Sequence, residues 1–181
     1  MQTFSTTGVV LKRMNYGEAD RLITIFSEDK GKIVVIAKGV RKPTSAKKSA
    51  LEPGMYSKIF CAETHGLPIL TQALVISDNA NAMNGLDTIR DLSQVLEIID
   101  TITVDAEPQP LLFSKLLSIL QEIQLQSQSW RKRVIDLLKE MMDELGFERM
   151  GEAGFSSVTE YVEFISEKKL KSHVYLTVHG K

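Results

Sequence analysis

The chain has 181 residues, 43% hydrophobic and 25% charged, which is the composition of a folded protein of one medium domain or two small ones. No apolar run approaches the roughly 20 residues that cross a bilayer, and Met1-Gln2-Thr3-Phe4-Ser5 carries no basic stretch leading into an apolar one, so a cytoplasmic protein is expected. The net charge of −1 conceals a division: residues 1–60 hold 11 Lys/Arg against 5 Asp/Glu, residues 61–181 hold 11 against 18, and such asymmetry marks the amino-terminal end as a candidate polyanion contact.

The first 76 residues read as β structure. Thr7 to Arg13 alternates Val9 and Leu11 against Val10 and Lys12, and Arg21 to Phe26 is rich in β-branched residues. Glu28-Asp29-Lys30-Gly31 supplies a turn into Lys32 to Lys38. After a long polar loop, Met55 to Ala62 forms a fourth strand, and Thr64-His65-Gly66 turns the chain into a fifth, Ile69 to Ile76. Ile33-Val34-Val35-Ile36 is apolar on both faces, as in a small barrel whose outside is partly covered. Five strands and one long loop suggest an OB-like barrel, with an SH3-like barrel as the competitor. Cys61 lies in the fourth strand. As the chain's one cysteine it excludes an intrachain disulfide and a zinc ribbon, and it reads as a buried structural thiol. His65, His173 and His179 lack the spacing of metal ligands and read as surface or loop residues.

The long loop is the richest basic stretch. Lys38-Gly39-Val40-Arg41-Lys42-Pro43-Thr44-Ser45-Ala46-Lys47-Lys48 carries five cations and no acid, and its Gly, Pro, Ser and Thr residues imply a flexible segment able to follow a phosphate backbone. Lys12, Arg13 and Arg21 can extend that patch. Against it stands a plain solvated loop. Aromatics for base stacking are few. Phe26 and Phe60 are expected in the core, and Tyr16 in the Asn15-Tyr16-Gly17 turn reads as structural, so backbone contact is favoured over base readout.

From about Asp78 the pattern turns helical. Leu86, Ile89, Leu92, Leu96 and Ile99 mark a first helix ending before Glu107-Pro108-Gln109-Pro110. Leu112, Leu116, Ile119, Leu120 and Ile123 mark a second over Leu111 to about Gln126. Val134, Ile135, Leu138, Met141, Met142 and Leu145 stripe a third, stopped by Gly146. Ser157 and Glu160 have capping-box spacing and open a fourth, containing Tyr161, Val162 and Ile165. His173 to Val178 fits either a short strand or a tail. Trp130-Arg131-Lys132-Arg133 places three cations at a helix start, where they oppose the macrodipole, so a partner or DNA contact is weighed against a solvated helix end with Trp130 tucked against a neighbour.

The reading so far is α+β and multi-domain, with a five-stranded OB-fold barrel over residues 1–78 and an all-α helical bundle over 79–181. No Gly-rich phosphate loop, HExxH motif or nucleophile elbow is present, the acidic residues of the helices are scattered, and neither catalysis nor a cofactor is expected.

Gly8-Val9-Val10-Leu11-Lys12-Arg13, then Tyr16-Gly17-Glu18-Ala19-Asp20-Arg21-Leu22, Gly31-Lys32, Ala37-Lys38-Gly39-Val40-Arg41-Lys42, Ser45 and Leu51-Glu52-Pro53 resemble, in order and spacing, the amino-terminal domain of the RecO family. The resemblance covers about residues 8–76; the helical half is similar in architecture alone. It implies an OB-fold that binds single- and double-stranded DNA, anneals complementary strands, contacts the single-strand-binding protein SSB and, with RecR, helps load RecA, in a cytoplasmic, nucleoid-associated setting. Lys12, Arg13, Arg21, Lys38, Arg41 and Lys42 take the place of the family's DNA contacts; Lys47 and Lys48 come from the charge argument alone. The chain is shorter than typical members and lacks the cysteine cluster that binds zinc in many of them, so no zinc site is expected. The alternatives from other classes are a protein-interaction adaptor whose barrel touches no nucleic acid and an RNA-binding OB protein.

Overall fold

The structure, a computed structural model, describes residues 2–78 and 85–172. Backbone contacts divide the chain into two compact units: Met1–Asp78 joined by Thr103–Pro110, and Asn79–Ile102 with Leu111–Lys181.

In the first unit, β1 (Thr3–Tyr16), β2 (Asp20–Ser27), β3 (Gly31–Ala37), β4 (Tyr56–Ala62) and β5 (Ile69–Ser77) close into a barrel in the order β1-β2-β3-β5-β4. Neighbours are antiparallel except β3 and β5, which meet in parallel at Ile36 and Ile69. That parallel closure gives the OB-fold rather than the SH3-like alternative.

β1 is longer than the alternation predicts because it serves two partners, pairing with β4 over Thr3–Val9 and with β2 over Gly8–Tyr16. Its register to β2 shifts between Val10 and Lys12, leaving Leu11 as an extra residue. A bulge of this kind breaks the two-residue period, which is why Val9, Val10 and Leu11 are all buried where simple alternation would expose one face. Inside the barrel, Val10, Ile23, Ile25, Val35, Ile59 and Leu70 form the centre of the core, joined by Val40, Ala50 and Leu51 from the β3–β4 connection. Phe26 is fully buried as expected; Phe60 is only half-buried, with the Lys58 ammonium 5.6 Å from its ring centre. Cys61 is buried in β4, and burial pushes its thiol up to about 11, which leaves it an inert side chain of the core.

A boundary drawn at residue 78 leaves out one returning segment. Asp105 bridges Lys32 in parallel, the Ala106 N–H donates to the Lys32 carbonyl at 2.9 Å, and the Lys32 ammonium lies 3.3 Å from the Asp105 carboxylate. Gly31 makes this possible. Its φ of +66° is strained for any side chain, and a Cβ there would stand 2.1 Å from the Glu107 carbonyl oxygen.

The second unit holds α1 (Leu86–Ile102), α2 (Pro110–Leu125), α3 (Trp130–Glu144) and α4 (Val158–Ser166). α2 begins one residue before its expected start, with Pro110 in the first turn, where its missing N–H costs nothing. Leu92, Leu96 and Ile99 of α1 are buried with Val95 and Ile98, but Leu86 and Ile89, expected on the same stripe, are exposed. Gly146 ends α3 as predicted: at φ +80° it donates to the Asp143 carbonyl while Phe147 donates to that of Met142, the paired bonds of a Schellman motif. The capping box does not form. Ser157 is the extended residue before α4, but its side chain makes no cap hydrogen bond. Buried Gln94 of α1 donates to Thr159 of α4 at 2.7 Å. The acids of this unit are less scattered than the sequence suggests. Lys115 of α2 meets Glu140 and Glu144 of α3, and two glutamates hold the segment after α4: Glu163 accepts from the Leu170 N–H, and Glu97 accepts from the N–H groups of Lys171 and Ser172 and from the Ser172 hydroxyl. The expected strand or tail at His173 to Val178 lies outside the described residues, as do His173 and His179.

Gly31→Ala is expected to cost about 2–4 kcal/mol, combining the strain of a positive φ with displacement of the Glu107 backbone; urea unfolding measures it, and an unchanged midpoint would show that the returning segment yields freely. Burial tends to raise the Glu97 pKa, but the hydrogen bonds from Ser172 and Lys171 outweigh it and hold the group below the usual glutamate value. A lowered folded-state pKa stabilises above the unfolded value and is lost as pH falls through the folded one. Amide-exchange protection at Lys171 and Ser172 should therefore be present at neutral pH and disappear on acidification below the ordinary glutamate range, and Glu97→Gln should abolish that pH dependence.

Candidate nucleic-acid interface

The β1–β2 turn and the β3–β4 loop meet at one end of the barrel and are tied together there. Gly17, at φ +59°, makes the tight turn. Gly39, at φ +64°, turns the chain as it leaves β3, and its N–H donates to Asp20 Oδ1 at 2.7 Å. The Arg41 N–H donates to the Ala19 carbonyl at 2.9 Å, while its guanidinium donates to the carbonyls of Glu18 at 2.9 Å and Gly17 at 3.3 Å. The loop then runs through successive three-residue turns, from Lys42 back to Gly39, Ser45 to Lys42, Lys48 to Ser45 and Leu51 to Lys48, and is pinned by buried Val40, Ala50 and Leu51. Composition suggests a flexible loop; the structure shows an ordered one.

The predicted cations divide by what they touch. Lys38, Lys42 and Lys48 are exposed and form no ion pair among the described residues. The half-buried Lys47 ammonium lies within 3.5 Å of the Lys38 and Leu70 carbonyls. Arg41 is committed to the turn. Arg13 and Arg21 share one acceptor, Glu52 Oε1, which Arg13 meets in a short contact and Arg21 approaches at 3.4 Å. The barrel register explains this pairing: Arg13 stands opposite Ile23, and Arg21 continues the inward series Ile25, Ile23, so both side chains lie on the core-facing side at the barrel mouth.

Lys12 lies on the other face. It stands opposite Thr24, Met14 opposite Leu22 and Tyr16 opposite Asp20, and across β2 the series continues to Val34 and Ile36 of β3. The outer surface of these three strands thus carries Lys12, Met14, Tyr16, Leu22, Thr24, Val34 and Ile36. Met14 is 53% exposed and Tyr16 51%, so the tyrosine ring is accessible rather than structural. The one-residue bulge at Leu11 hides this surface from a reading of β1 alone; aligning β1 with β2 beyond the bulge is the signal that finds it. Glu52 and Asp20 appear in the sequence only as members of a pattern, and their partners are distant in the chain.

In the helical unit, the cationic start of α3 finds acids. Arg131 pairs with Asp91 of α1 at 2.8 Å and lies over the Trp130 ring at 4.6 Å, while Arg133 pairs with Glu122 of α2 at 2.6 Å. Trp130 is buried and Lys132 exposed. Desolvation raises the Asp91 pKa against the pull of Arg131, whereas Arg133 holds Glu122 below its usual value. Trp130, Arg131, Val134 and Leu138 of α3 line a recess with Asp91, Val95 and Ile98 of α1 and with residues 156–159.

Residues 1–78 match the family described as "Recombination protein O N terminal". Proteins named DNA repair protein RecO are similar over most of the chain: 36% identical over 126 residues in Heliobacterium modesticaldum, covering 66% of this chain and 45% of that protein, and 30% identical over 116 residues in Bacillus subtilis, covering 64% and 46%. The RecO of Syntrophomonas wolfei is 27% identical over 115 residues, covering 64% and 46%. The chain spans about half the length of the curated relatives it matches. The match to the RecO N-terminal family covers the amino-terminal barrel, and over about two thirds of its length the chain is similar to the RecO DNA repair proteins.

Proposed function

We propose that this chain binds DNA through the end of the barrel where the β1–β2 turn and the β3–β4 loop meet, and that it acts in recombinational repair. The observation that supports the reading is the ordered loop: Lys38, Lys42 and Lys48 are exposed on a hydrogen-bonded backbone tied to the β1–β2 turn, and Tyr16, the residue before that turn, is exposed. Fixed cations displace condensed counterions from a phosphate chain with little ordering cost on binding, and an exposed aromatic stacks on any unpaired base. Lys12, on the outer face with Met14 and Tyr16, extends the track across β1. Single strands suit this surface better than duplex, because a stacked ring needs a base free of its partner. The finer role is the one that the resemblance to the RecO family implies: annealing of complementary strands and, with RecR, assistance in loading RecA on SSB-coated single strands. Lys132 and the Trp130–Arg131 wall of the helical recess are the place proposed for a protein partner such as SSB.

Fluorescence anisotropy of labelled single-stranded DNA across a salt series tests the reading. The triple variant Lys38→Glu, Lys42→Glu, Lys48→Glu should bind at least ~10-fold more weakly and lose about 2 from the log–log salt slope, three phosphate contacts at roughly 0.7 each. Tyr16→Ala should weaken single-strand binding by about 1–3 kcal/mol and duplex binding much less. Absence of any DNA binding at low salt would overturn the proposal in favour of a barrel that docks only protein, and stronger binding to RNA oligomers in competition would redirect it to RNA.

A further inference from the structure

Glu52 sits at the barrel mouth between two arginines. One of its carboxylate oxygens receives guanidinium groups from two different strands, Arg13 of β1 and Arg21 of β2. Two positive charges thus converge on one negative charge, and the site keeps a local excess of +1. Arg21 is only 13% exposed, and its Nε is buried with no hydrogen-bond partner. A buried guanidinium N–H left without an acceptor is unfavourable and marks a place where an acceptor belongs. A carboxylate offers two oxygens in one plane. A phosphate offers more, in a tetrahedral array that two guanidiniums can grip at once. The mouth is also accessible: Arg13 remains 37% exposed and Glu52 25%. Glu52 follows directly on the loop that carries Lys38, Lys42 and Lys48, one residue after Leu51, whose N–H closes that loop's last turn on the Lys48 carbonyl.

We propose that Glu52 is a built-in competitor for phosphate: it holds Arg13 and Arg21 converged in the unbound protein and must be displaced when a nucleic-acid phosphate enters between them. The inference rests on the DNA-binding reading above and deepens it, assigning the two arginines a site distinct from the lysine loop and giving the acidic residue between them a role in limiting affinity. While Glu52 is in place, the arginines contribute little to counterion release, because their charge is already partly compensated. Removing its charge frees both for the backbone. Tight binding would hinder a protein that must release strands, and an internal anion limits it without removing the cations that guide the approach.

The experiment compares the wild-type chain with Glu52→Gln in single-strand binding across a salt series, with thermal melts as the control for folding. Glu52→Gln should bind ~3–10-fold more tightly, and its salt slope should steepen by roughly 0.7 for each phosphate newly engaged. Arg13→Gln in the Glu52→Gln background should return both quantities toward wild type. If Glu52→Gln folds poorly, Glu52→Asp, with a shorter reach and the charge kept, should shift affinity in the same direction by less. A second readout is independent of DNA: titration of inorganic pyrophosphate into Glu52→Gln should move the Arg21 Nε–H resonance, and should do so at lower concentration than in wild type. Unchanged or weaker DNA binding by a folded Glu52→Gln, while the wild type binds, would overturn this inference and leave Glu52 as a positioning residue. Failure of the wild type itself to bind would strike the DNA-binding reading instead, and the pyrophosphate titration would still decide whether Arg13 and Arg21 form an anion site.

Discussion

A loop of polar, Gly- and Pro-containing sequence between two strands ordinarily samples many conformations, and cations carried on it must be ordered at the moment of binding. Here the β3–β4 loop is held at its start by Arg41 and Gly39, which donate to three carbonyls of the β1–β2 turn and to the Asp20 carboxylate. The guanidinium bonds and the bond to the Asp20 carboxylate are charge-assisted, and together with the backbone bond to Ala19 they favour one loop conformation over the many alternatives. Further along, Val40, Ala50 and Leu51 enter the barrel core, so the same segment that displays lysines on one side closes the hydrophobic interior on the other. The proposed interface and the fold therefore share a foundation. A change that loosens Arg41 or Asp20 would blur the positions of Lys38, Lys42 and Lys48 before it touched any of them.

Much of this was legible in the sequence, for identifiable reasons. Strands β2 to β5 are legible as short β-branched and apolar runs with turn residues at their ends, and the helices carry stripes long enough to place each one, down to the glycine that terminates α3. β1 exceeds its local pattern because a strand that bends around a barrel and pairs on both edges gains length from topology, which local pattern does not encode. The stripe of α1 failed at its first turn, where Leu86 and Ile89 remain exposed. At the site, positive charge could be counted but not apportioned. Arg13, Arg21 and Arg41 look the same in the sequence as Lys38 and Lys42, and only their partners separate cations that brace the barrel from cations that face solvent. Residues of the RecO-like pattern fall into two sets of contacts: Gly17, Asp20, Gly39 and Arg41 tie the loop to the turn, and Arg13, Arg21 and Glu52 meet at the barrel mouth.

The helical unit illustrates the same limit. Three cations at the start of α3 oppose the helix dipole, and in isolation they suggest a ligand. In the fold, Asp91 and Glu122 from two other helices take up Arg131 and Arg133, so much of that charge is spent on joining α3 to its neighbours, and Lys132 is left facing outward. The stacking of Arg131 on Trp130 fixes the wall of a recess whose floor is apolar, which makes the recess a shaped surface rather than a diffuse positive patch.

The returning segment Thr103–Pro110 makes the barrel unit discontinuous along the chain. During synthesis β5 leaves the ribosome well before Asp105 and Glu107 are available, so β3 must wait, with its rim at Gly31 and Lys32 uncovered, until the first helix has been made. Contacts separated this far in sequence are slow to form, since a long intervening loop must close before they contribute. Covering of the β3 rim is thus tied in time to the synthesis of the first helix, because the segment that covers it follows that helix in the chain.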